Sequence, residues 1–166
     1  MPSEQKAEPE FLVTVTLIVS DIKRSVAFYR DVFGATVLRE GEPTFLRLGN
    51  IWLSINVGGG PTDDKPTVVA SPPQQPDVLS SFINLRVADM ARCHELWRSR
   101  GANFVTEPKV HPWEIRCYSR DPDGYLIEVG QTTFTATPFE LYNSGGLAEL
   151  GSSNKILDKN NKRCSS

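Results

Sequence analysis

Residues 13–29 read VTVTLIVSDIKRSVAFY, and residues 81–97 read SFINLRVADMARCHELW. Each is an alternating apolar run, then an Asp, then a helical pattern. Adding 68 carries Val15, Leu17, Val19 and Asp21 onto Ile83, Leu85, Val87 and Asp89. Self-similarity at a fixed spacing decides the fold before any single element does. The likeness continues downstream. Residues 34–40, GATVLRE, match 101–107, GANFVTE, at an offset of 67, and residues 53–58, LSINVG, match 125–130, YLIEVG, at an offset of 72. Each unit therefore reads strand, helix, three strands, over 11–59 and 79–131.

The local chemistry supports this reading. Over 11–19, Val13, Val15, Leu17 and Val19 share one face of a strand, and Thr14, Thr16 and Ile18 the other. Ser20 or Asp21 can cap the helix that follows. Ile22, Val26, Tyr29 and Phe33 form its apolar face, and Gly34 ends it. Strands are expected at 36–39, 44–48 and 51–57, with Gly49-Asn50 turning between the last two. The second unit has strand 82–87, helix 90–100 ending at Gly101, and strands 103–106, 114–119 and 125–129. Its helix presents Met90, Cys93 or His94, and Trp97; His94 is expected to be a surface or packing residue. Asp121-Pro-Asp-Gly124 spells a turn and lacks the spaced ligands of a calcium loop. Residues 58–80 hold five prolines, which cannot occupy a central strand; the stretch 60–78 links the units.

At 166 residues with a net charge of −2, one domain is expected, with no basic footprint for nucleic acid and no run long enough to span a membrane. Residues 1–10 read as a disordered leader and 132–166 as a polar, partly disordered tail. Cys93, Cys117 and Cys164 form neither a CxxC pair nor a disulfide framework, which suggests a reducing, cytoplasmic setting.

With VSDIKRSVAFYRDVFG in one half and RDPDGYLIEVGQ in the other, the tandem repeat resembles the vicinal oxygen chelate superfamily, which includes glyoxalase, bleomycin-resistance and extradiol dioxygenase proteins. The resemblance covers 11–131. It implies an α+β fold in which tandem βαβββ modules form a U-shaped eight-stranded sheet around a cavity, with helices on the convex face. Homodimers are common among such proteins. Strand parity then points Thr14, Thr16, Ile18, Trp52, Ser54, Asn56, Phe82, Asn84, Arg86, Leu126 and Glu128 inward.

The resemblance also implies metal ligands at four repeat-related positions, here Thr14, Asn56, Phe82 and Glu128. Only Glu128 is a good ligand, so no metal and no other cofactor is expected. Two function classes follow. In the first, an isomerase, lyase or cyclase uses Glu128 as acid or base, its carboxyl group either desolvated or paired with Arg47 or Arg116. His111, named with Glu128 as catalytic, and Arg47, Arg86, Arg116 and Tyr118 would orient a carboxylate, phenolate or enolate of a carbonyl or aromatic substrate. In the second, a bleomycin-resistance-like protein sequesters an aromatic compound against Trp52 and Trp113 without turnover. Both imply a small-molecule ligand and no nucleic-acid or membrane partner.

Overall fold

The computed structural model describes residues 12–133; the expected leader and nearly all of the expected tail lie outside the described residues. The first module comprises β1 (Thr14–Ile18), α1 (Ile22–Asp31), β2 (Thr36–Arg39), β3 (Thr44–Leu48) and β4 (Ile51–Asn56). The second comprises β5 (Ile83–Arg86), α2 (Met90–Ser99), β6 (Asn103–Phe104), β7 (Lys109–Val110), β8 (Glu114–Arg120) and β9 (Leu126–Thr132). The expected strands are present. The additional two-residue β7 pairs with β8. The strands form two hydrogen-bonded sheets, ordered β1-β4-β3-β2 and β5-β9-β8-β6, with β1–β4 and β5–β9 parallel.

The repeat holds down to its caps. Asp21 and Asp89 are both N-caps, each accepting a 3.0 Å bond from the backbone N–H three residues on, of Arg24 and of Arg92. Gly34 and Gly101 follow the helices with positive φ. The last strands sit differently from the sequence alignment. Val19 N–H donates to the Asn56 carbonyl and Val87 N–H to that of Gly130, so the two last strands correspond at an offset of 74. A slip of two residues keeps every side chain on its own face, so side-chain parity is blind to it. The structural counterpart of Glu128 is therefore Ser54, not Asn56.

Leu17, Val19, Leu46, Leu53, Ile55 and Ile127 are buried together with Tyr29 of α1 and Phe33 just beyond its end, and Trp97 of α2 packs against this cluster. The modules thus share this cluster, and Met90, Cys117 and Val129 form a second one within the second module. The Phe33 and Trp97 rings meet edge to face at 4.9 Å. His94 is buried, its ring tilted 4.2 Å from Phe104, as a packing residue of α2. The Asp121–Gly124 turn is a tie between modules. Asp121 Oδ1 accepts the backbone N–H of Asp123 and Tyr125, and its Oδ2 accepts the Tyr29 hydroxyl at 3.1 Å. Asp123 accepts from Ser20, Arg24 and Ser25 at the start of α1. The Tyr125 hydroxyl bonds both backbone groups of Ile18, on the outer edge of β1. The linker is held at both ends: Gly59 and Ala70 exchange backbone bonds, and Arg120 holds Pro76 and Asp77.

Candidate functional site

One face of each sheet covers the helices, so the residues of opposite parity line the other, open face. On the first sheet, Thr14, Trp52 and Arg47 stand in one cross-strand row, and Thr16, Ser54 and Phe45 in the next. Ile18 and Asn56 follow. Thr14, Thr16, Arg47 and Trp52 are exposed. No hydrogen bond or ion pair joins these side chains to Glu128 among the described residues, so Arg47 is not the counter-ion the sequence suggested.

The second sheet holds the denser constellation. Asn84, Glu128 and Tyr118 form one row, and Arg86, Gly130 and Arg116 the next. Glu114 stands opposite Thr132 beyond them. Glu128 is only 6% exposed. Its Oε1 accepts from Asn84 Nδ2 at 2.6 Å and its Oε2 from the Tyr118 hydroxyl at 2.7 Å. The nearest cation is Arg86, 3.8 Å from Oε1. Arg116, the other expected partner, instead bonds Glu114 Oε1 at 2.9 Å and lies 5.7 Å from the Tyr118 ring centre. Phe82 meets Tyr118 edge-on at 6.4 Å. Leu126 pairs with Arg120 one row further along.

Burial and then the hydrogen bond to Glu128 push the Tyr118 hydroxyl above its usual value, which keeps it a donor at neutral pH. The Arg86 hydrogen bond, ahead of all other causes, holds Glu114 below the usual carboxylate range. His111 lies at the turn into β8, its backbone N–H bonded to the Glu114 carbonyl. Among the described residues no hydrogen bond joins its ring to Glu128. Trp113, two residues on, is 69% exposed.

Sequence reasoning missed three members of this constellation. Glu114 bridges both arginines, with Oε2 bonded to Arg86 at 2.8 Å and Oε1 to Arg116. Its strand parity, shared with Arg116 and Tyr118, was the available signal. Thr132 accepts from Arg86 Nη2 at 2.9 Å. Gly130 makes room: a Cβ there would stand 2.7 Å from Arg86 Cζ and closer still to Nη1.

A transition-metal ion does not fit this donor set. Phe82 has no donor atom, Thr14 offers only a neutral hydroxyl, and both Glu128 oxygens already accept hydrogen bonds. No group of three His, Cys, Asp or Glu side chains comes together among the described residues. A divalent ion about 4 Å from the Arg86 guanidinium would also meet a repulsion of about 8 kcal/mol at an effective dielectric of ~20.

The model of the Glyoxalase/Bleomycin resistance protein/Dioxygenase superfamily matches residues 12–129, and the chain belongs to that family. It is 30% identical over 125 residues to the lactoylglutathione lyase of Salmonella typhimurium, covering 71% of this chain and 90% of the relative. A shorter segment of 43 residues is 49% identical to the metallothiol transferase FosB of Staphylococcus epidermidis; the match spans 25% of this chain and 31% of FosB. Among solved structures, TnmS3, described as an antibiotic binding protein from Streptomyces sp. CB03234, superimposes with a TM-score of 0.53 at 20% identity, over 77% of this chain and all of that one (100%). The expected tandem βαβββ fold is thereby established. No helix among the described residues is long and apolar enough to cross a membrane.

Proposed function

We propose that the open face of the second sheet is a small-molecule site that works without a resident metal, with Glu128 as its acid or base. The observation that supports this reading is the setting of that carboxylate. It is buried within a face that mixes polar side chains with Phe82, and Asn84 and Tyr118 fix both its oxygens. Burying a carboxylate is costly unless partners compensate. Here two side chains are committed to holding it, with the Arg86 guanidinium 3.8 Å away. A ligand carbon beside a carbonyl would lose its proton to Glu128, with Asn84 and Tyr118 orienting the receiving oxygen. Isomerase, lyase and cyclase steps on carbonyl or aromatic substrates all begin this way. His111 and Leu126 would line the approach.

The second reading is sequestration of an aromatic compound without turnover. It is favoured by the exposure of Trp113, Phe82 and Trp52 at 69%, 50% and 36%. Exposed rings are stacking platforms as they stand. They are also apolar surface that a second copy of the chain would cover, and a homodimer is the assembly proposed.

A thermal-shift screen of small carbonyl and phenolic compounds, with mass spectrometry of the incubated hits, separates the readings. Altered compound identifies an enzyme; unchanged, stoichiometrically bound compound identifies a binder. In either case Glu128→Gln should keep the fold and weaken binding or turnover about tenfold or more, the loss of one charge-assisted interaction. Undiminished affinity and activity in that variant would refute the assignment.

A further inference from the structure

We infer that the Arg86 guanidinium is the resident cation of this face: laid across β9 at Gly130, it fills beside Glu128 the role of a metal ion, and it selects small molecules bearing an acidic oxygen, such as a phenol or an enolisable carbonyl. The second half rests on the small-molecule reading of the face; the first half does not.

The internal repeat isolates the change. Arg86 corresponds to Ile18, the last inward-facing residue of β1. Ile18 pairs with Asn56, and Arg86 with Gly130. In the first module this position is therefore apolar, and a polar side chain stands opposite it. In the second it carries a charge, and the residue opposite has lost its side chain. A glycine inside a strand weakens it unless something else needs the space. Here the guanidinium occupies that space.

The guanidinium is fixed but not saturated. Nη1 bonds Glu114 at 2.8 Å and lies 3.8 Å from Glu128, and Nη2 bonds Thr132 at 2.9 Å. Each Nη carries a second hydrogen. The side chain stays 26% exposed, so a ligand oxygen can reach it. Arg86 and Arg116 balance Glu114 and Glu128 in charge. When a ligand O–H or C–H bond breaks and its proton forms an O–H bond on Glu128, the site's total charge is unchanged. The new oxyanion then lies beside the guanidinium, and no oxidant, reductant or further cation is needed.

The test uses the full chain, with Mn²⁺, Ni²⁺ and Zn²⁺ salts alone as the first probes in calorimetry. Wild type and Arg86→Lys should show no saturable binding at about 0.5 mM metal, whereas Arg86→Gln should gain at least about tenfold in affinity. Adding Glu128→Gln to Arg86→Gln should abolish the gain. Circular dichroism checks the fold, and Gly130→Ala, which displaces the guanidinium without deleting it, gives an independent route to the same gain. One metal ion bound per wild-type chain and lost in Glu128→Gln would overturn the inference. So would variants that gain nothing, an outcome that leaves the small-molecule site itself standing. The second probe is 4-nitrophenol, whose absorbance separates phenol from phenolate. At a pH near its own midpoint, the wild type should raise the phenolate-to-phenol ratio of the bound probe about threefold, and Arg86→Gln should lose that enrichment. Equal enrichment in both proteins, or no binding up to the solubility limit of the probe, would overturn the ligand class.

Discussion

Gly130→Ala is the smallest change that tests the arrangement of the site. The backbone at Gly130 does not have a positive φ, so alanine is conformationally acceptable there and by itself should add about 0.5 to 1 kcal/mol of stability. The obstacle is the guanidinium. The new Cβ would lie 2.7 Å from Arg86 Cζ, so the group must retreat by about 1 Å to reach ordinary carbon–carbon contact near 3.7 Å. Such a shift stretches the 2.8 Å bond to Glu114 and the 2.9 Å bond to Thr132 beyond hydrogen-bonding range. Two bonds to a charged group are worth about 1.5 to 3 kcal/mol each. A partly exposed guanidinium recovers some of this from water. The net expectation is a loss of about 2 kcal/mol, on the order of 8 °C in Tm for a domain of this size. Thermal and urea melts of Gly130→Ala, Arg86→Ala and the double variant measure it. In the Arg86→Ala background the Gly130→Ala change should become neutral or stabilising. An equal cost in both backgrounds, or no cost in the wild type, would refute the account of why glycine stands at this position.

Tyr29→Phe should cost about 1 to 3 kcal/mol in chemical denaturation, because it strips a buried Asp121 oxygen of its donor; an unchanged midpoint would show that water replaces the hydroxyl. The folded-state value of Glu114 is depressed, so its contribution to stability is complete above the usual carboxylate range and is lost as pH falls through the depressed value. The stability difference between wild type and Glu114→Gln should therefore vanish in acid, and a pH-independent difference would contradict this. Light scattering of the full chain at roughly 50 µM should return twice the chain mass, a concentration suited to moderate affinities; a monomer there counts against the proposed homodimer.

The parts of the fold visible in the sequence are those that local chemistry determines. Asp21 and Asp89 announce two helices because a cap acts over three residues, and the alternation of Val15, Leu17 and Val19 sorts a strand's faces without reference to its neighbours. The correspondence of the last strands was less visible. Alignment placed Asn56 opposite Glu128 in the repeat, and only the hydrogen-bond register moves the match to Ser54. The site divides along the same line. Parity put Phe82, Asn84, Arg86 and Glu128 on one face. Which arginine serves Glu128 depends on how far a side chain can lie down, and that depends on Gly130, 44 residues downstream. Arg47 and Arg116 were reasonable candidates by charge alone; distance and the competing pull of Glu114 exclude them.

The Asp121–Gly124 turn makes the two halves of the molecule unequal partners. Its carboxylates reach Ser20, Arg24, Ser25 and Tyr29. The residues that repeat these positions are Ala88, Arg92, Cys93 and Trp97. Three of the four have lost the hydroxyl a reciprocal tie would use. Separating the halves at the proline-rich linker would leave Asp123 without its side-chain donors and Asp121 Oδ2 without the Tyr29 hydroxyl on one side, and Tyr29 without its acceptor on the other. An architecture written twice in the sequence is thus bound to unfold once, as a single cooperative unit.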